Sequence, residues 1–164
     1  MTNFYISDTH FDHAKIITLT KRPFADVDEM NEEMVKRWNS VVTDIDIVYH
    51  LGDFAWKFNR ASYWQNRLNG RIIFVTGNHD PVRAGTGADY AEISDGQYKL
   101  ALFHYPIVSW NGFHRGVYHF YGHVHGAPLD YMPLDWRARA FDVGVECLDY
   151  TPRTAEQIIM KDNA

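Results

Sequence analysis

Residues 71–80 read Arg71-Ile72-Ile73-Phe74-Val75-Thr76-Gly77-Asn78-His79-Asp80. The β-branched and aromatic run predicts a strand over Arg71–Thr76, ending on a Gly-Asn turn that carries a His and an Asp. Two upstream segments have the same form. Asn3–Ser7 predicts a strand that ends at Asp8-Thr9-His10, and Asp46–His50 predicts one that ends at Gly52-Asp53. Between the strands, Val27, Met30, Met34, Trp38, Val41 and Val42 recur at helical spacing. Asp28, Glu29, Glu32 and Glu33 come early and Lys36 and Arg37 late, the order a helix dipole favours. Arg60–Leu68 predicts a short helix closed by the turn Asn69-Gly70. Three strand–loop–helix units thus each set a polar motif just past the C-terminal end of a strand. Open α/β sheets build their sites at that edge.

The second half changes character. Strands are predicted over Tyr90–Ser94, Gln97–Phe103, Val117–Tyr121 and Arg139–Val145, with little helix between them and an Asp95-Gly96 hairpin turn joining the first two. Thr151–Ile159 predicts a capped helix with Pro152 at its first position. The expected class is α/β, with two packed sheets flanked by helices. The 164 residues suit one domain spanning 1–164 and leave no room for a cap domain.

Bulk properties exclude several classes. The net charge of -5 argues against stable nucleic-acid binding, which favours a basic surface. Cys147 is the single cysteine, so an intrachain disulfide is impossible and a cytoplasmic location is expected. No basic-then-apolar leader opens the sequence, and no apolar run approaches the roughly 18 residues of a membrane span.

The motifs carry metal-ligand chemistry. Asp8 and His10 are two apart, so in an extended segment both side chains face one way and can grip one ion. His123 and His125 repeat that spacing between Gly122 and Gly126. Asp53 has two oxygens and can bridge two ions, which a histidine cannot. Asn78 offers an amide oxygen without adding charge. His104 follows the apolar run Leu100–Phe103. Taken singly, each has an ordinary alternative as a turn, capping or strand-end residue. In series they supply the oxygen and imidazole donors of hydrolytic metal sites.

The series Asp8-x-His10, Gly52-Asp53, Gly77-Asn78-His79-Asp80, His104 and Gly122-His123-x-His125 resembles that of the calcineurin-like metallophosphoesterase superfamily. The blocks Phe4–His13 and Phe141–Glu146 are similar to those of its small bacterial and phage members. The resemblance implies the metallophosphoesterase fold and two divalent metal ions. One ion would be held by Asp8, His10, Asp53 and His125, the other by Asp53, Asn78, His104 and His123, with Asp53 bridging. Mn2+ is expected first, with Fe, Ni, Zn and Co also suited to the donor set. Two carboxylates against two dications leave the centre electropositive, a local attraction for an anionic substrate on an acidic protein.

The resemblance further implies in-line attack by a metal-bridging hydroxide, with inversion at a chiral thiophosphate. His79 would serve the leaving group, and Asp80 would orient His79. His13 and Arg22, with Asn78, are candidate substrate contacts. Trp56 and Trp110 are candidates to stack on a base, and His50 and His119 are expected to pack in strands.

The pattern departs from the Ser/Thr protein phosphatases at Phe54-Ala55-Trp56-Lys57, which lacks their Asp and Arg, and at Asp80 in place of their Glu. A small uncapped site suits a phosphodiester or a phosphomonoester, and the resemblance to small uncapped relatives, with His79 able to serve an alkoxide, implies the diester, with nucleotides among the candidates. The alternatives are a phosphomonoesterase or nucleotide pyrophosphatase, and a non-catalytic scaffold. A scaffold predicts lost ligands, and none is lost. Neither the physiological substrate nor the oligomeric state is legible.

Overall fold

The computed structural model describes residues 1–80 and 88–161. Seven strands form two sheets among these residues. The first sheet is parallel, in the order β1 (Asn3–Ile6), β2 (Ile47–His50), β3 (Arg71–Phe74). The second is ordered β4 (Tyr90–Asp95), β5 (Tyr98–Phe103), β6 (Tyr118–Tyr121), β7 (Ala140–Asp142). In it β4 and β5 are antiparallel, whereas β5, β6 and β7 run parallel.

The sheets share one apolar core. Phe4, Ile6 and Val48 from the first lie with Leu100, Leu102, Phe120 and Phe141 from the second. Tyr5 meets Phe120 edge-on at 5.1 Å between ring centroids. The free edge of β1 is taken up by the second half of the chain. Ser7 N–H donates to Val143, Val145 N–H donates to Ser7, and Tyr5 exchanges hydrogen bonds with Arg153. This seam sets the C-terminal ends of β1, β5 and β6 beside one another.

Helices α1 (Ala14–Leu19), α2 (Val27–Val41), α3 (Phe58–Gln65), α4 (Leu134–Arg137) and α5 (Ala155–Lys161) flank the sheets. Helix α2 starts where Asp26 accepts Glu29 N–H at 2.8 Å, and it buries Met30, Met34, Val35 and Trp38. Met30, Met34 and Trp38 belong to the stripe read from the sequence, whereas Val41, expected on it, is exposed. Among the described residues no helix is long and apolar enough to cross a membrane.

Several boundaries differ from the sequence reading. Helix α1 was not anticipated; it has six residues and buries only Ile16, too short for a period to show. The β4–β5 register pairs Asp95 with Tyr98, so the turn is Gly96-Gln97, with positive φ at Gly96, rather than Asp95-Gly96. The last helix begins at Ala155 because Arg153 is held in the bridge to Tyr5. Its cap is Thr154, whose hydroxyl accepts Gln157 N–H while Gln157 accepts Thr154 N–H, a reciprocal capping box.

Candidate metal centre

Every expected ligand lies on a turn just beyond a strand: Asp8 and His10 after β1, Asp53 after β2, Asn78 after β3, His104 after β5, His123 and His125 after β6. The first two turns run side by side and hydrogen-bond to each other. Asp8, His10 and Phe11 N–H donate to the carbonyls of Gly52, Asp53 and Phe54, and Trp56 N–H returns to Phe11.

The backbone does not follow the extended geometry assumed from the spacing. Asp8 (φ 58°), His10 (φ 49°), Asp53 (φ 58°), His123 (φ 72°) and His125 (φ 51°) are all left-handed. This region is uncommon for residues with a Cβ, and strain of this kind gathers at functional sites. The glycines between them allow close approach. A Cβ on Gly122 would collide with Ser7 Oγ and Asp8 Oδ2, and one on Gly52 would come within 2.6 Å of Gly77 Cα.

The side chains converge in two groups around one carboxylate. Asp53 Oδ2 is 3.5 Å from His10 Nε2 and 3.5 Å from His104 Nε2. On one side His125 Nε2 is 3.9 Å from Asp8 Oδ1. On the other, Asn78 Oδ1 is 2.9 Å from both His104 Nε2 and His123 Nδ1. Donors at 2.0–2.2 Å from one ion lie roughly 3.0–3.6 Å apart, so the spacings suit shared cations. Asp8, His10 and His125 offer donor atoms within 4.8 Å of one another, as do Asp8, Asp53 and His104.

Unsatisfied atoms argue the same way. Asp8 Oδ1 and both ring nitrogens of His10 are buried without a hydrogen-bond partner. Buried polar atoms are almost always paired, so each needs a partner of another kind. His104 Nδ1 faces the Leu51 carbonyl at 2.7 Å and donates to it in the neutral ring, leaving Nε2 as a lone pair aimed at the Asn78 oxygen. Two acceptors pointed at one space are satisfied by a cation.

Electrostatics agree. Burial pushes the Asp8 carboxyl up to about 8, with Asp142 and Asp53 adding to the shift against His125 and Ser7. Burial takes His10 down to about 2, with Arg22 and neighbouring histidines adding. Burial likewise lowers His123, with His104 adding. His10 and His123 are thus held as neutral donors, and a cation is what makes ionised Asp8 tenable here. The donor set fits divalent ions on these grounds.

A further layer holds the ligands. Asp8 Oδ2 accepts from Ser7 Oγ at 2.6 Å and from His123 N–H at 3.0 Å. Asp53 Oδ1 accepts His79 N–H at 2.8 Å. His125 Nδ1 meets Glu146 Oε1 at 3.0 Å. Burial opposes the charged His125 ring, but the hydrogen bond and charge of Glu146, with Asp8, outweigh it and raise the ring's pKa. Burial likewise works to raise Glu146, yet His125 and Arg22 bring it below the usual range.

Two expected roles move. Arg22, a candidate for substrate, has a side chain with no exposed surface. Its Nε and Nη2 bond Glu146 at 2.9 and 2.8 Å, and its Nη1 and Nη2 bond the Thr9 and Asp8 carbonyls at 2.9 and 2.7 Å. The fork is used up inside, fixing the turn that carries Asp8 and His10. Asp80 is engaged by the backbone. Its oxygens accept Asp53, Gly77 and Phe54 N–H, tying the second ligand turn to the third.

His79 itself stands exposed at the mouth, its ring 5.4 Å from that of His10. His13 is mostly buried beside it, at 5.2 Å from His10 and 6.5 Å from His79. His50 and His119 are buried and hydrogen-bonded, and Trp110 is buried against Phe113. Glu146, quoted only as part of a closing block, was the functional residue that sequence reasoning passed over.

The model of the calcineurin-like phosphoesterase superfamily domain matches residues 1–138. An uncharacterized protein of Methanocaldococcus jannaschii, MJ1445, is 39% identical over 161 residues, 95% of this chain and 88% of its own. The gene 66 protein of Mycobacterium phage L5 is 30% identical over 81 residues, 47% of this chain and 39% of its own. Among solved structures, AQ665 of Aquifex aeolicus, a protein of unknown function, superposes with a TM-score of 0.75 at 26% identity, covering 99% of this chain and 98% of its own. This chain belongs to the calcineurin-like phosphoesterase superfamily.

Proposed function

We propose that this protein is a dinuclear metal-dependent phosphodiesterase that acts as a single uncapped domain. The observation that carries the reading is Asp53 Oδ2, 3.5 Å from both His10 and His104, with Asp8 and His125 near one another and Asn78 beside His104 and His123. Two divalent ions, Mn2+ first, would supply an activated water and positive charge for the phosphoryl oxygens. Asp8, His10, Asp53 and His125 would hold one ion, and Asp53, Asn78, His104 and His123 the other.

The chain's own groups do the rest. With two dications held, Asp8 and Asp53 would leave the centre with net positive charge, which would draw an anionic ester to it. His79 is free of the ligand set and exposed beside it, a position from which a ring N–H can protonate a departing alkoxide. An alkoxide needs that proton more than a nitrophenolate does. Asn78, His79 and His123 are exposed, which leaves room for the second substituent of a diester. The lone Cys147 is compatible with work in the cytoplasm.

The test is hydrolysis of bis-p-nitrophenyl phosphate against p-nitrophenyl phosphate by metal-stripped protein resupplied with Mn2+. Metal-dependent turnover favouring the diester is expected. His79→Ala should keep two ions and lose most turnover, more with alkyl than with nitrophenyl leaving groups. Preference for the monoester would replace the reading by a phosphomonoesterase. Absence of turnover with two ions bound would replace it by a non-catalytic role.

A further inference from the structure

The five tryptophans divide sharply. Trp38, Trp64, Trp110 and Trp136 are buried, and each indole N–H reaches a named acceptor: Asn69 O, Asp12 Oδ2, Val117 O and Ile107 O. Trp56 is 49% exposed. Tryptophan carries the largest apolar surface of any side chain, and leaving half of it in water forgoes that burial.

Trp56 is nevertheless held firmly. Its backbone N–H donates to Phe11 O at 2.8 Å, on the paired turns that carry His10 and Asp53. One face of the indole lies flat on the His13 ring, at 3.9 Å between centroids and 8° between planes. The His13 backbone is in turn tied to the ligand turn by its N–H to His10 O, and its ring is mostly buried. One indole face is therefore backed by a mostly buried ring, and the exposed surface is left for something else.

The position is as telling as the exposure. The His79 ring is 5.4 Å from His10 and 5.4 Å from Trp56. His79 therefore lies within ring-contact distance of both the metal-ligand cluster and the indole. If His79 serves the leaving oxygen, the leaving group departs on the Trp56 side. A flat group attached to that oxygen through a sugar would meet the indole face.

We propose that Trp56, backed by His13, is the stacking platform for an aromatic base on the leaving group, so that the substrate class is a nucleoside phosphodiester. This rests on the reading of His79 as the group that serves the leaving oxygen. Stacking on a tryptophan takes every base, because each has a π-face, so the site would prefer a base without choosing among bases.

The experiment uses the dinucleoside phosphate dApdA and its two singly abasic analogues, with the Mn2+-loaded protein. In the wild type, the analogue whose leaving nucleoside lacks its base should fall by about tenfold or more in kcat/KM, and the other should fall less. Trp56→Ala should bring dApdA down to that first level, and Trp56→Phe should recover most of the loss. Trp56→Ala lowering all three substrates equally, or none, would overturn the proposal while leaving the phosphodiesterase reading intact. Where no diester is turned over, that reading fails by itself. The platform is then judged by indole fluorescence: quenching by dApdA that disappears in Trp56→Ala supports it, and quenching unchanged by that substitution overturns it.

Discussion

Glu146→Gln separates the holding of a ligand from the ligand itself. The Glu146 carboxylate touches His125 Nδ1 at 3.0 Å and the Arg22 fork at 2.8 and 2.9 Å, and Arg22 in turn bonds the carbonyls of Asp8 and Thr9. By accepting from Nδ1, Glu146 selects the His125 tautomer whose Nε2 is a lone pair, the atom that faces Asp8. Loss of such an outer partner typically costs about 10–100-fold in metal affinity.

Glutamine keeps the shape and one acceptor oxygen, but it turns a charged partner of Arg22 and His125 into a neutral one. We expect Mn2+ affinity to fall within that range, with Asp8, His10 and His125 unchanged. Glu146→Ala is a poorer probe. It strands a buried guanidinium, a loss of about 3–5 kcal/mol that is a large share of a typical domain's total stability. The assay is calorimetric titration of Mn2+ into metal-stripped protein, alongside urea unfolding of the same metal-free sample. Wild-type affinity in a folded Glu146→Gln protein would refute the reasoning, and so would an equal loss in Glu33→Gln, a surface control paired with Lys36 and Arg37.

Two further outcomes follow from the same geometry. Asp53→Asn removes the charge from the oxygen that lies between His10 and His104, so metal content and turnover should fall together; full metal occupancy in that variant would argue against a bridging role. His119 is buried, and burial takes its pKa from 6.5 down to about 4, outweighing bonds to Ala101 and Tyr105. The native ring stays neutral while the unfolded ring takes a proton below pH 6.5, so this stability is complete above pH 6.5 and is lost as pH falls towards 4. The loss amounts to about 3 kcal/mol. Urea unfolding across that window should show a slope that flattens in His119→Asn, and an unaltered slope would exclude His119 as its source.

The strands and the ligand series were legible because each depends on a few adjacent residues. A run such as Ile72-Ile73-Phe74-Val75 declares a strand by itself, and Gly77-Asn78-His79-Asp80 declares a turn with donors. What stayed hidden depends on residues far apart in the chain. Nothing near Arg22 in sequence shows that Glu146, 124 positions away, will absorb its charge. Asp80 sits next to His79, which suggested a local partnership, but its oxygens are taken by N–H groups about 27 positions upstream. The spacing of Asp8 and His10 did give two side chains in one place. It did so through left-handed backbone rather than an extended segment, because paired turns from β1 and β2 dictate the local shape. The start of α5 was misplaced for a similar reason, since Tyr5 claims Arg153 from the other end of the chain.

The seam between the two sheets has a consequence for how the protein can be divided. Asp8, His10, Asp53 and Asn78 come from the first sheet, and His104, His123 and His125 from the second. A cut anywhere from 81 to 103 would leave each fragment with only part of the proposed ligand set. Ion capture therefore reports whether both halves of the chain have met. Split fragments brought together by fused partners should regain it only on reassembly, so the proposed centre would serve as a sensor of proximity as well as a place for chemistry.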